Sequence, residues 1–97
     1  MEFVTQCVDL FVAELPPLLE SLRDGVRNES RPKVSHAAHA LKGMISNFCD
    51  QGPAQTAQRL ELIARQGQVA DAPRLLAQLE REVEALVVAL QRLTAAT

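Results

Sequence analysis

The sequence contains no tryptophan or tyrosine, and phenylalanine occurs only three times. Because β-sheet cores are rich in aromatic and β-branched residues, this scarcity argues against a β-rich fold. No apolar run reaches the roughly 20 residues that cross a bilayer, and no basic start followed by an apolar run marks a signal peptide. An excess of positive charge is also missing, since the net charge is −2. Nucleic acid and membrane contact are therefore not expected.

The sequence is also poor in the residues that build catalytic and metal centres. Its two cysteines, Cys7 and Cys49, lie far apart, and we interpret them as small core residues of a protein in the reducing cytoplasm. There is no glycine-rich phosphate loop and no acidic cluster suited to Mg²⁺. These absences predict a protein without an ATP-binding or kinase site, not an enzyme in its own right, with no metal and no cofactor.

What the sequence does contain is a helical pattern in a chain of 97 residues, long enough for one domain (1–97) with a modest core. Apolar residues recur at steps of three and four in four segments, roughly residues 2–27, 31–49, 53–66 and 71–95. The stripes include Val8, Phe11, Leu15, Leu22, Val34, Leu41, Ile45, Phe48, Ala57, Leu60, Ala64, Leu79, Val83, Leu90 and Leu93. Short connections make neighbouring helices antiparallel, so we predict an all-α, up-down-up-down four-helix bundle.

Several residues mark where these helices begin, end or bend. Pro16 and Pro17 fall inside the first segment, so we expect a kink or a local break just before them. Ser30 and Asp71 are candidate N-caps for the second and fourth helices. Gly67 is a candidate stop signal for the third helix.

The outer face of the second helix carries the candidate functional residues. At 100° per residue, His39 lies about 200° around the helix from Leu41 and therefore points away from the core. Lys42 follows one turn later, where its ammonium can reach an anion attached to the imidazole. Gly43 stands mid-helix at a cost of up to about 1 kcal/mol, which suggests that another backbone must approach closely. The residues around them on this face are Ser35, His36 and Ser46.

The stretch His39-Ala40-Leu41-Lys42-Gly43 resembles the H-x-L-K-G motif of histidine-containing phosphotransfer (Hpt) domains. Phe11-Val12-Ala13-Glu14-Leu15-Pro16 resembles the first helix of that family, and Leu60-Glu61 with Arg65-Gln66-Gly67 resembles its third helix and following loop. One departure is Asn47-Phe48-Cys49-Asp50, where many members have Asn-Leu-Gly-Ala. We expect this difference to alter the packing at the helix end and the rim of the docking surface, and thus partner specificity.

The resemblance implies a function. His39 would accept a phosphoryl group from a receiver-domain aspartate and pass it to another receiver, with Lys42 stabilising the phosphate. Ser35, His36, Gly43 and Ser46 would contact the receiver, which would bring its own Mg²⁺. We consider His36 a solvated neighbour rather than a metal ligand. The alternative is a degenerate bundle that only docks a partner.

The resemblance also implies a cellular context. We expect a cytoplasmic monomer whose partners are response-regulator receiver domains. The chain could equally be the cytoplasmic end of a membrane-bound hybrid histidine kinase. Because the stretch before the first helix is very short, we expect the chain to be a piece of such a longer kinase.

Overall fold

The computed structural model describes residues 2–95, which form four α-helices. These are α1 (Glu2–Arg27), α2 (Arg31–Ile45), α3 (Pro53–Gln66) and α4 (Ala72–Ala95), and a short 3₁₀ turn, Val69–Asp71, precedes α4. No strand occurs among the described residues, so the all-α prediction is confirmed. None of the helices is both long and apolar enough to cross a membrane, within the part of the chain described.

The order of contacts shows how neighbouring helices run. In the first half of α1, the ring of Phe11 packs against that of Phe48, just past the end of α2, with centroids 5.1 Å apart. Near the end of α1, Gly25 lies against Val34, at the start of α2. The two helices are therefore antiparallel, and α2 packs most extensively against α3. The order and contacts of the four helices agree with the predicted up-down-up-down bundle.

All four helices contribute to one core, and most of the predicted apolar stripes are buried in it. Its largest fully buried side chains are Val8, Leu22, Val34, Leu41, Ile45, Leu60, Leu79 and Val83. The stripe of α2 is buried between α1 and α3, its two neighbours in the bundle. Burying one such leucine or valine contributes about 1.5–3 kcal/mol, so the stripes are sufficient to hold α2 in one rotation about its axis.

The far end of α4 departs from the prediction. Leu93, which continues the apolar stripe, is 51% exposed. The reason is length: Glu82 of α4 already lies level with Thr56, in the first turn of α3, where the two side chains are hydrogen-bonded. Later residues of α4 run past α3 and find fewer partners. Asp71 lies in the 3₁₀ turn and pairs with Arg74, so its predicted role as a side-chain cap is not seen.

The two prolines of α1 do not interrupt it. The helix is continuous through Pro16 and Pro17, both of which are exposed. Of the two expected outcomes, a kink or a local break, the local break does not occur. The carbonyls of Val12 and Ala13 lose their helical hydrogen bonds there, while Leu15 and Leu22 keep the buried stripe in phase.

The end of α2 lies four residues earlier than predicted. The helix ends at Ile45, and residues 46–48 form a turn. There the hydrogen bonds tighten, with the amide of Asn47 donating to Met44 at 3.3 Å and that of Phe48 donating to Ile45 at 2.9 Å. This tightening lets the chain reverse into α3 within a few residues.

The end of α3 is fixed from two sides. Gly67 adopts the left-handed conformation with φ 78°, which confirms it as the stop signal. From α2, Arg31 Nε donates to the carbonyl of Ala64 and Nη2 donates to the carbonyl of Arg65, both at 2.9 Å. Ser30 occupies the N-cap position of α2 but makes no side-chain cap hydrogen bond. Arg31 thus ties the start of α2 to the last turn of α3.

Candidate functional site

His39 projects from the solvent side of α2, as its position relative to the buried Leu41 predicts. Its side chain is 69% exposed. Ser35, His36 and Gly43 lie within one turn of His39 on the same helix, and Ser46 follows the helix end. The Ser46 hydroxyl donates to the carbonyl of Lys42 at 2.7 Å, and the Ser46 amide donates to the same carbonyl at 2.9 Å.

The imidazole of His39 is held from α3. Its Nδ1 lies 3.1 Å from Oε2 of Glu61. Because a carboxylate only accepts hydrogen bonds, Nδ1 carries the hydrogen and donates it to Glu61. The lone pair of the neutral ring then belongs to Nε2, on the other side of the ring. The contact therefore orients the imidazole and favours the tautomer of the neutral ring in which Nε2 carries the lone pair.

Glu61 is a buried carboxylate, with only 9% of its side chain exposed. Its position next to Leu60, one turn after Ala57, places it at the edge of the inward face of α3. The same Oε2 that accepts from His39 also lies 2.6 Å from Nη2 of Arg65. A buried carboxylate is costly without partners, and Arg65 supplies the opposite charge.

Lys42 and Arg65 approach His39 from two helices. Both side chains line a shallow groove, named here the histidine groove, whose lining residues are His39, Lys42, Gln58, Glu61, Leu62 and Arg65. None of the ion pairs within residues 2–95 involves Lys42. Its ammonium can therefore bind an anion from outside without first leaving a carboxylate.

A nucleophilic imidazole nitrogen, exposed beside an uncommitted cation, is suited to carry a transferable anionic group. The family model of the Hpt domain matches residues 6–89, which is most of the chain. This chain is an Hpt domain. No curated protein and no solved structure shows a significant match to it. Hpt domains are histidine phosphotransfer modules of phosphorelays, interact with receiver domains, and have no kinase or ATP-binding site.

In this Hpt domain, Gly43 opens the surface beside His39. A Cβ built at Gly43 would meet no atom within 4 Å, so the backbone there faces open space. The packing of the bundle therefore does not require a glycine at this position. The backbone of a partner protein could approach α2 closely at this point.

An apolar groove lies where α1 meets the end of α2. It is lined mainly by Phe3, Cys7, Leu10, Phe11, Met44 and Phe48. Phe3 is 76% exposed and Leu10 is 60% exposed, although both are large apolar residues. An exposed apolar patch of this kind is typical of a protein-contact surface.

Two features of the site bear on the sequence-based predictions. The sequence singles out Glu61 and Arg65 only through the family resemblance, and it does not predict that Glu61 contacts both His39 and Arg65. The available signal was a carboxylate at the edge of an apolar stripe, with an arginine one turn later. Within residues 2–95, no three His, Cys, Asp or Glu side chains gather where they could hold a metal ion.

Proposed function

We propose that this Hpt domain is a phosphorelay intermediate in which Nε2 of His39 accepts a phosphoryl group from a receiver aspartate and passes it to a second receiver. The observation that carries the proposal is the hydrogen bond from Nδ1 of the exposed His39 to the buried carboxylate of Glu61. It leaves Nε2 as the free nucleophile on the outer surface.

The proposed step is balanced without any further reactant. The Nε2 lone pair of His39 attacks the phosphorus of the receiver's phosphoaspartate, so an N–P bond forms. The bond between phosphorus and the aspartate oxygen breaks, and its electron pair returns to the aspartate carboxylate. The ring gains a positive charge, which lies beside Glu61, and no proton needs to leave. The reverse sequence passes the group to the aspartate of the second receiver.

Lys42 is proposed to stabilise the phosphoryl group. It lines the histidine groove one turn after His39, so its ammonium can bind a phosphoryl oxygen as charge builds up there. Phosphoryl transfer requires mainly positioning and charge stabilisation. The Mg²⁺ that assists such transfer is proposed to belong to the receiver, where it would neutralise phosphoryl charge, and this chain would bind no cofactor.

The receiver is proposed to dock across the face around Gly43. Ser35, His36 and Ser46 would contact it near His39, and the open backbone at Gly43 would permit close approach. The apolar groove between α1 and the end of α2 is proposed to add buried area to the contact. We further propose that the domain acts in the cytoplasm as a monomer, either by itself or as part of a hybrid histidine kinase.

The test uses receiver domains carrying a radioactive phosphoryl group on aspartate. We expect label to move to the wild-type Hpt domain and to His36→Gln, but not to His39→Gln. The label should be lost in acid and kept in base, as for phosphohistidine and unlike an acyl phosphate. Full labelling of His39→Gln would contradict the proposal. Receiver binding without any labelling of the wild-type protein would favour a docking-only module.

A further inference from the structure

The shared carboxylate oxygen of Glu61 is the starting point for a second role in the histidine groove. Oε2 of Glu61 lies 3.1 Å from His39 Nδ1 and 2.6 Å from Arg65 Nη2. The Arg65 side chain is nevertheless 64% exposed. A guanidinium has five N–H donors in a fixed plane, and Glu61 occupies only one edge of this plane.

We infer that Arg65 is a second phosphate-binding side chain, which binds the phosphoryl group on His39 from the α3 side of the groove while Lys42 binds it from the α2 side. The inference rests on the proposed function, because it concerns the phosphorylated state of His39. It adds a residue that the family resemblance gave no role.

The geometry supports two cations around one anion. Lys42 follows His39 by one turn on α2, and Arg65 follows Glu61 by one turn on α3. All four side chains line the same groove, so a group on Nε2 has a cation on each helix within the groove. A planar guanidinium can keep one N–H on Glu61 and present the others to phosphoryl oxygens.

The balance of charge points the same way. A phosphoryl group on His39 brings close to two negative charges to a groove that already contains the carboxylate of Glu61. The phosphorylated ring, still protonated at Nδ1, and Lys42 each supply one positive charge. Without Arg65 the groove keeps an excess negative charge next to a buried carboxylate. With Arg65 the charges of the phosphorylated site are matched.

A purely positioning role has a different consequence. Arg65 could act only by holding Glu61, and through it the ring of His39. In that case its effect would vanish once the carboxylate of Glu61 is replaced by the isosteric amide. Direct binding of the phosphoryl group by Arg65 would survive this replacement.

The experiment measures how phosphoryl groups distribute at equilibrium between a receiver and the Hpt domain. This ratio depends on the stability of phosphohistidine and not on the speed of docking. Four proteins are compared: wild type, Arg65→Gln, Glu61→Gln and the double variant. We expect Arg65→Gln to shift the equilibrium toward the receiver by at least about fivefold in both backgrounds. Arg65→Lys should recover part of the loss.

Arg59→Gln is the matched control, since Arg59 is exposed on α3 but does not line the histidine groove. It should leave the ratio unchanged. A wild-type ratio in Arg65→Gln, or a shift that disappears in the Glu61→Gln background, would overturn the inference while leaving the proposed function intact. A wild-type protein that never becomes labelled would contradict the proposed function and this inference together.

Discussion

Gly25 and Gly43 both stand inside helices, but they face opposite surroundings. A Cβ at Gly25 would lie 3.0 Å from the backbone nitrogen of Val34 and 3.1 Å from its Cγ2. At Gly43 the same atom would meet nothing within 4 Å. Glycine costs up to about 1 kcal/mol relative to alanine at either position, because it loses more backbone freedom on folding.

Glycine therefore stands at these two positions for different reasons. At Gly25 the missing side chain lets α1 and α2 approach closely, so the gain lies within the folded bundle. At Gly43 the bundle gains nothing, and the cost is offset only if a partner approaches α2 there. The contact between α1 and α2 should therefore control stability, while the outer face of α2 should control docking and transfer. Changes on the two surfaces should have separable effects.

The largest expected effect on stability follows from filling the close contact. Gly25→Ala should destabilise the domain by roughly 1–3 kcal/mol, because the backbone nitrogen of Val34 cannot move without shifting α2. The improved helix propensity of alanine offsets only part of this cost. Urea unfolding measures the change, with Gly43→Ala as the matched control on the open surface. A Gly25→Ala protein as stable as the wild type would show that the close approach of α1 and α2 does not require glycine at this position.

The fold could be predicted because the spacing of apolar residues repeats several times along each helix. Val34, Leu41 and Ile45 are spaced so that α2 has one buried face, and all three are buried as expected. A single residue at the end of a stripe predicts its own position less well. Phe48 continues the stripe of α2 in sequence, yet it lies in a turn and packs on Phe11. A periodic pattern does not record where the next helix forces the chain to reverse.

The candidate site was predictable only in the part that lies on one helix. The spacing of His39, Lys42 and Gly43 follows from helix geometry alone. The contact between His39 and Glu61 depends on the rotation of α3 against α2, which no local pattern specifies. The close approach at Gly25 was missed for the same reason, since it depends on how two helices cross.

The next largest effect concerns docking. Gly43→Gln should leave the domain as stable as the wild type or up to about 1 kcal/mol more stable, since the added side chain meets open space. Receiver binding should weaken by at least about tenfold, or 1.4 kcal/mol, because the side chain occupies the surface that the partner needs. Thermal unfolding and titration calorimetry on the same preparation separate the two outcomes. Normal receiver affinity would show that Gly43 is not a docking position.

A smaller effect should distinguish chemistry from docking on the outer face. Lys42→Ala should slow phosphotransfer several-fold, about 1 kcal/mol, because one charge-assisted contact to the phosphoryl group is lost. Affinity for the unphosphorylated receiver should change by less than about threefold. A transfer time course and calorimetry check both halves. Equal losses in the two measurements would make Lys42 part of the interface only.

The smallest effect tests a position where the backbone favours glycine but the chain has another residue. Glu29 has φ 52° and is the one residue other than glycine with a positive φ within residues 2–95. It ends α1 in the same way that Gly67 ends α3. The amide of Glu29 donates to Val26 and that of Ser30 to Gly25, matching the pair of bonds that closes α3. The left-handed conformation costs a residue with a Cβ roughly 1–2 kcal/mol.

Glu29→Gly removes this cost but increases the freedom of the unfolded chain, which opposes it by about 0.4–1 kcal/mol. The net expectation is a gain of about 0.5 kcal/mol in urea unfolding. Gly67→Ala, the reverse change at the matched position, should lose stability. Phosphotransfer should be unchanged in Glu29→Gly, because Glu29 lies outside the histidine groove and the apolar groove. A loss of stability in Glu29→Gly would mean that its side chain contributes more than its backbone conformation costs.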